Sequence, residues 1–170
     1  MTVNPGVLPP GHWSLDRDSG GGRIIGEACH FIDLLRFLAG SSVTGFDASR
    51  VAGAPALAID KSSFTLRFAD GSIGTVHYCG NGHKGFPKER LEVFCAGAVL
   101  QLDNYRMLRS WGWRRLSRQS LWRQDKGQRG CAQAFVAAVR GCAPAPIPPD
   151  ELFEVAQLTL DIDNALRGTA

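Results

Sequence analysis

Apolar residues recur every three or four positions between residues 23 and 39, which is the spacing of one face of an α-helix. The members of this stripe are Ile25, Ala28, Ile32, Leu35 and Ala39. Arg36 lies in the last turn and Gly40 follows it, and both features are typical of a helix C-terminus. The pattern predicts a helix over 23–39, preceded by an irregular Pro- and Gly-rich arm over 1–22 that opens with a short strand.

Alternating apolar and polar residues dominate the segment 43–118 and predict consecutive β-strands. Phe64, Leu66 and Phe68 alternate with polar neighbours, and Asp70-Gly71 then forms a hairpin turn into the next strand. Short turns between successive strands favour antiparallel pairing. Later strands are predicted around Leu91–Cys95, Val99–Asp103, Tyr105–Ser110 and Trp113–Arg118.

Two helices close the chain within residues 128–166. The first is predicted near Gln128–Arg140, and the second follows a Pro-rich segment and has Asp150 near its cap. The order of helix, many strands and two helices indicates a single α+β domain over 1–170, with helices on one face of a sheet.

The composition is that of an ordinary globular domain and points to no particular class of partner. The chain has 170 residues, 44% of them hydrophobic and 21% charged, with a net charge of +3. A chain of this length can fold without disulfides or metals. Its five cysteines form no Cys-x-x-Cys pair, so reduced thiols in a cytoplasmic protein are expected. We recognise no signal peptide and no membrane span, so no membrane partner is expected.

Gly80-Asn81-Gly82-His83-Lys84-Gly85 matches the Gly-x-Gly-x-x-Gly pattern of dinucleotide-binding loops. Such a loop binds pyrophosphate because a helix starts directly after it and points its N–H groups at the phosphates. Here a strand is predicted to follow, so we assign no cofactor-binding residue. We interpret the segment as a loop whose Asn81 and Lys84 are candidates for substrate contact. No metal site is predicted either, because Cys29 and His30 point to different faces of a helix.

Basic and aromatic residues are interleaved over 106–129, with Asp125 as the one carboxylate among them. This mixture can grip single-stranded nucleic acid. A solvated or interface face of two strands, with tryptophans packed in a dimer, explains it as well and is favoured. The residues are Arg106, Arg109, Arg114, Arg115, Arg118, Arg123, Lys126 and Arg129, with Trp111, Trp113 and Trp122.

The most specific segment runs from the triple glycine 20–22 through Arg23-Ile24-Ile25-Gly26-Glu27 to His30-Phe31-Ile32-Asp33-Leu34-Leu35. It resembles the helix that opens the second domain of the Gfo/Idh/MocA family, the glucose–fructose oxidoreductase and inositol dehydrogenase type. The resemblance covers nearly the whole chain in family order. It continues through Asp70-Gly71, Pro87–Val93, Asp125–Gln128, Phe135, Ala138–Arg140 and Pro146–Pro148.

The resemblance implies an open, mostly antiparallel β-sheet with helices packed on one face, and hydride transfer at a sugar or polyol carbinol. The family's histidine acts as general acid or base on the reacting hydroxyl, so His30 is the candidate catalytic residue. Imidazole suits that role because it exchanges protons near neutral pH. The alternative is a helix histidine that only hydrogen-bonds its surroundings.

One residue departs from the family pattern. The family's aspartate, four residues before the histidine, is replaced by Gly26. Glu27 lies three residues before His30 and is a candidate to orient it, since residues at that spacing can touch. Arg23 is a candidate contact for a substrate hydroxyl or phosphate, with a solvated residue at the helix start as the equal alternative.

The resemblance further implies NAD or NADP for the full-length enzyme, bound by a Rossmann domain that 22 residues are too few to form. This chain alone is therefore expected to bind no cofactor and to be inactive by itself, as the substrate-side C-terminal domain. A homo-oligomer through the sheet face is also implied. The alternative is a non-catalytic dimerising or ligand-binding module that keeps the fold.

Overall fold

The computed structural model describes residues 1–52 and 59–168. The chain groups into two compact units. Unit 1 comprises Met1–Lys88 and Phe153–Ala170, and unit 2 comprises Glu89–Leu152.

The N-terminal arm of unit 1 contains more regular structure than the pattern predicted. Strand β1 (Thr2–Val3) opens it, as expected, and a 3₁₀ turn (Trp13–Leu15) precedes a short helix, α1 (Arg17–Gly20). Asp16 caps α1, because its carboxylate accepts N–H groups of the first helical turn. This helix has a polar cap and buries no apolar residue. Hydrophobic periodicity therefore could not predict it.

The helix predicted over 23–39 is present, but its first turn is not α-helical. The turn Ile24–Ala28 is π-helical, and α2 (Cys29–Ala39) follows it directly. The N–H of Cys29 donates to the carbonyl of Ile24, five residues back, which defines the wider turn. α2 ends at Gly40, whose φ of 62° is a left-handed conformation that glycine adopts without strain.

Unit 1 carries four strands in the order β2-β3-β4-β1. Strand β3 pairs antiparallel with both β2 and β4, and β1 pairs parallel with β4. The hairpin predicted at Asp70-Gly71 joins β3 to β4. The remaining bounds are Val43–Arg50 for β2, Lys61–Phe68 for β3 and Ile73–Cys79 for β4.

The core of unit 1 lies between one face of these strands and two helices, α2 and α4 (Pro149–Arg167). Alternation in β3 buries Phe64 and Leu66, as predicted, and they pack with Ile32 of α2 and Ile162 of α4. Gly74 of β4 allows this packing, because a Cβ there would lie 3.0 Å from a methyl group of Leu35. Burying such aliphatic or aromatic side chains stabilises the fold by roughly 1.5–3 kcal/mol each.

Unit 2 consists of four antiparallel strands in the order β5-β6-β7-β8 and the helix α3 (Gln128–Val139). The first two strands match the prediction. Their bounds are Glu89–Cys95 for β5 and Ala98–Asp103 for β6, followed by Met107–Trp111 for β7 and Arg118–Ser120 for β8.

The last two strands of unit 2 start later than predicted, for local reasons. Asn104 and Tyr105 have φ of 55° and 49°, so they form the hairpin turn before β7 and do not extend it. The strand predicted over Trp113–Arg118 is displaced to β8. Gly112, with φ of 80°, turns the chain there, and Ser110 N–H donates to Ser117 O across the loop.

The predicted α+β class, with mostly antiparallel strands and packed helices, is confirmed. Within the described ranges, none of the helices has the length and apolar character that a bilayer crossing requires. The five cysteines are free thiols.

Candidate functional site

His30 lies in the first turn of α2 and is exposed to solvent. The helix buries its neighbours Phe31 and Ile32 against the sheet, so the amphipathic pattern leaves His30 on the outer side. Its imidazole makes no hydrogen bond to any residue that the structure describes. Both ring nitrogens are therefore available to a molecule approaching from solvent.

Glu27 lies in the π-helical turn just before α2, and its carboxylate has three partners. Tyr78 Oη donates to Oε2 at 2.5 Å, Arg23 Nη2 donates to the same oxygen at 3.2 Å, and Lys88 Nζ lies 2.7 Å from Oε1. We call these four side chains the Glu27 clamp. The partners come from the helix start, from β4 and from the segment before β5, so one carboxylate joins three parts of unit 1.

Arg23 is 6% exposed, and its contacts are all inside unit 1. Its Nη1 donates to Gly6 O at 2.9 Å and lies 3.9 Å from Oδ2 of Asp60. Its guanidinium stands 5.5 Å from the centre of the Tyr78 ring, a cation–π geometry. Arg23 is therefore buried and paired, and it does not have the solvated position that the sequence left open.

The surroundings of the Glu27 clamp favour an ionised Glu27 and a neutral Tyr78. Burial opposes ionisation of Glu27, but the hydrogen bonds from Lys88 and Tyr78 outweigh it and hold its pKa below the usual value. Burial, followed by the bond to Glu27, raises the pKa of Tyr78. The clamp thus holds a charged carboxylate and a neutral phenol that donates to it.

The predicted site residues do not all lie together in the structure. Arg23 and Glu27 contact each other, but the Glu27 carboxylate makes no hydrogen bond to His30 among the described residues. Asn81 and Lys84 are both exposed on the Gly80–Gly85 loop. The structure therefore brings together the two residues expected at the helix start and leaves His30 apart from them.

The Gly80–Gly85 loop owes its glycines to packing. A Cβ at Gly82 would overlap the side-chain oxygen of Asn4, and one at Gly80 would overlap the carboxylate of Asp60. Asn4 also donates through Nδ2 to His83 O at 2.9 Å, which ties β1 to the loop. The next element after this loop is strand β5, so the loop lacks the helical N–H groups that bind a pyrophosphate.

A cavity of about 460 Å³ lies in unit 1 between the arm and the ends of β3 and β4. Aliphatic side chains of the arm, including Val7 and Leu15, form one part of its wall. Asp60, Lys61 and Asn81 line another part, and His30 is not among the lining residues. The cavity combines an apolar wall with two carboxylates, an imidazole, an ammonium and an amide, which suits a small amphipathic molecule.

Sequence analysis missed Tyr78, Lys88 and Asp60. Tyr78 offered a signal, because a tyrosine at an inward position of a core strand needs a partner for its hydroxyl. Lys88 and Asp60 offered none, since their partners depend on how separate segments meet in space.

The described residues offer no set of ligands for a metal ion. No group of three His, Cys, Asp or Glu side chains among them could hold a metal ion. Burial raises the pKa of Cys29, which disfavours the thiolate that a metal would need.

Comparisons with solved structures place this fold among oxidoreductases. The chain aligns over 99% of its length with UDP-N-acetylglucosamine 3-dehydrogenase GnnA from Acidithiobacillus ferrooxidans, with a TM-score of 0.75 and 19% identity. It aligns over 99% with aldose-aldose oxidoreductase from Caulobacter crescentus, with a TM-score of 0.72 and 17% identity. Biliverdin reductase from Synechocystis sp. PCC 6803 aligns over 98%, with a TM-score of 0.72 and 16% identity.

These likenesses show that the chain has the fold of a domain found in those enzymes. A family model described as the GFO/IDH/MocA C-terminal domain matches residues 2–101, and the chain belongs to that family. No curated protein matches the chain by sequence. The chain spans about half of the structures it resembles, namely 52% of the Acidithiobacillus enzyme and 53% of each of the other two.

Proposed function

We propose that this chain is the substrate-side domain of a nicotinamide-dependent oxidoreductase that acts on the carbinol of a sugar or polyol. The observation that carries the proposal is His30, an unengaged imidazole at the start of α2 in a chain of this family. The names of two structural relatives, UDP-N-acetylglucosamine 3-dehydrogenase and aldose-aldose oxidoreductase, support a sugar substrate. Biliverdin reductase has the same fold, so the fold alone does not choose the substrate.

The contribution of this chain to the proposed reaction is proton transfer. A nicotinamide dinucleotide held outside the described residues would supply the hydride chemistry. As the carbinol becomes a carbonyl, His30 accepts the hydroxyl proton and then returns it to solvent. Exposure of the imidazole suits both steps, because substrate and water can reach the same ring.

The remaining candidates have separate roles in this proposal. Asn81 and Lys84 are exposed on their loop, and Asn81 also lines the cavity, so they would bind substrate hydroxyls or an attached phosphate. Arg23 and Glu27 already satisfy each other and would not touch the substrate.

The test is turnover by the polypeptide as its gene encodes it, with NAD or NADP and a panel of aldoses, polyols and nucleotide sugars. Formation of reduced nicotinamide is the expected result. His30→Ala should lower the rate by at least about 100-fold, the usual minimum for a lost general acid–base group. His77→Ala is the matched control, since His77 is an exposed histidine of β4 whose side chain hydrogen-bonds the Ser63 hydroxyl.

Two outcomes would reject the proposal. One is a gene product without any dinucleotide-binding domain and without turnover. The other is full turnover by the His30→Ala variant.

A second candidate function is a non-catalytic ligand-binding module. It is favoured by the cavity, which forms without His30, and by Gly26 at the position of the family's aspartate. Calorimetric titration of the chain with the same panel separates the two functions. A module would lose binding in Asp60→Asn and keep it in His30→Ala, with no turnover in any form of the protein.

We further propose that the chain self-associates through its sheet face. Phe94, Val99 and Trp111 lie side by side on β5, β6 and β7 of unit 2. Phe94 is 74% exposed and Trp111 is 53% exposed, so this row presents apolar surface to solvent.

A further inference from the structure

We infer that the Glu27 clamp positions His30 by fixing the π-helical turn from which α2 starts; this inference rests on the proposed catalytic role of His30. Glu27 lies inside that turn, at the second position before Cys29, and three donors hold its carboxylate. Glu27 thus acts on the turn that carries His30, and makes no hydrogen bond to the imidazole.

The geometry of the π-helical turn explains why such an anchor matters. A π turn contains one residue more than an α-helical turn. If it relaxed to α-helix, the chain before it would rotate by about 100° relative to α2, the angle of one residue in an α-helix. The direction of His30 relative to the preceding segment therefore depends on keeping the extra residue in the turn.

The clamp holds this turn from both sides. On the N-terminal side, Arg23 is fixed by Gly6 O and lies near Asp60. Within the turn, Glu27 is fixed by Tyr78 of β4 and by Lys88. The turn cannot change its register without breaking at least one of these bonds in a largely buried site.

The clamp is not needed simply to dock α2 on the sheet. Phe31, Ile32 and Leu35 bury the middle of the helix. At its C-terminal end Arg36 Nε donates to Glu154 at 2.9 Å, and Glu154 also accepts from Val43 N–H at 2.5 Å. The Glu27 clamp is the set of ties at the end of the helix where His30 lies.

The chain contains a matched pair of glutamates for the experiment. Glu27 and Glu154 are each bound to an arginine, are 22% and 25% exposed, and tie opposite ends of α2. Glu27→Gln and Glu154→Gln remove the same charge while keeping the side-chain shape. A general loss of helix stability would affect His30 equally in both variants, whereas positioning through the π-helical turn would affect it only in the first.

The primary measurement is the NMR spectrum of the His30 imidazole, with amide hydrogen exchange of Cys29 and His30. In Glu27→Gln we expect the imidazole resonances to move and the two amides to exchange at least about tenfold faster. In Glu154→Gln both should match the unchanged protein. Neither measurement requires cofactor, substrate or turnover.

A second pair of variants covers the case in which Glu27→Gln fails to fold. Lys88 is 44% exposed, so Lys88→Ala leaves the core intact while removing one tie to Glu27. Lys88→Ala should move the His30 resonances in the same direction as Glu27→Gln does. In Lys88→Arg the His30 resonances should stay at the positions of the unchanged protein, because arginine keeps the charge and the donor. In the enzyme assay, Lys88→Ala should lower kcat by about tenfold and leave KM within about twofold.

Unmoved His30 resonances in both Glu27→Gln and Lys88→Ala would overturn the inference, whatever the protein catalyses. Moved resonances with unchanged kcat in an active enzyme would also overturn it. Absence of turnover in the unchanged protein would reject the proposed function instead, and the NMR comparison would still decide whether the clamp sets the position of His30.

Discussion

At the scale of single residues, the glutamate three positions before His30 is already bound to other side chains. Three donors surround the carboxylate of Glu27, and together they outweigh the cost of burying it. Hydrogen bonds to an ionised group contribute about 1.5–3 kcal/mol, roughly twice a neutral bond. The contribution of Glu27 to stability should therefore depend on its charge.

The pH dependence of the free energy of unfolding tests whether the charge on Glu27 stabilises the fold. The pKa of Glu27 is below its ordinary value of 4.5, so the stabilisation is present above that pH and is lost as the pH falls through the folded-state pKa. Glu27→Gln should be less stable than the unchanged protein at pH 7, and the difference should shrink in acid. Urea unfolding at several pH values measures it, and a difference that stayed constant with pH would contradict the prediction.

The hydroxyl of Tyr78 should matter for stability in the same way. Tyr78→Phe removes one donor to Glu27 in a buried site, and we expect a loss of about 1.5–3 kcal/mol in the free energy of unfolding. Tyr105→Phe is the control, because the Tyr105 hydroxyl makes no hydrogen bond to the described residues. Equal urea midpoints for the two variants would show that the bond to Glu27 contributes nothing.

At the scale of elements, the glycines of the Gly80–Gly85 loop are explained by close packing against neighbouring side chains. The loop follows β4, passes Asn4 of the arm and leads to another strand. A phosphate-binding loop requires a helix at that point, and the same glycine spacing can therefore serve two unrelated purposes.

Substitution of Gly82 tests the packing role. In Gly82→Ala the new methyl group would overlap the side chain of Asn4, so we expect the unfolding free energy to fall by about 1–3 kcal/mol, the usual cost of overpacking. Gly130→Ala is the control: no atom lies within 4 Å of its Cβ position in α3, and alanine should stabilise that helix by up to about 1 kcal/mol. Thermal unfolding distinguishes the two, and an unchanged Tm for Gly82→Ala would refute the packing explanation.

At the scale of the whole molecule, the chain spans about half of the oxidoreductases it resembles, and it exposes apolar residues in a row on unit 2. Exposed rows of this kind are typical of interfaces. This row is the surface through which we propose that the chain self-associates.

Self-association through this row can be tested by sedimentation velocity. Phe94→Glu places a charge in the apolar row, at its most exposed member, and should shift the protein to monomer over a concentration series. Phe37→Glu is matched in residue type and exposure, since both phenylalanines are 74% exposed, but it lies on α2 of unit 1 and should leave assembly unchanged. A chain that was monomeric at every concentration would rule out the interface.

Much of the fold could be predicted from the order of amino acids, because hydrophobic periodicity is a local property of the chain. The stripe from Ile25 to Ala39 indicated the long helix, and alternation around Phe64 indicated the inward face of β3. The segment around His30 also indicated the family, which the match to residues 2–101 confirms. These features need only the spacing of residues that lie close together in sequence.

The arrangement of the site needed three-dimensional contacts. Spacing made Glu27 a candidate to orient His30. In the structure its carboxylate is instead bound by Tyr78, 51 residues away in sequence, and by Lys88. The π-helical turn, the burial of Arg23 and the cavity beside Asp60 likewise depend on segments far apart in sequence. The free energy of a buried charge is set by the partners that surround it in space, and periodicity along the chain carries no information about those partners.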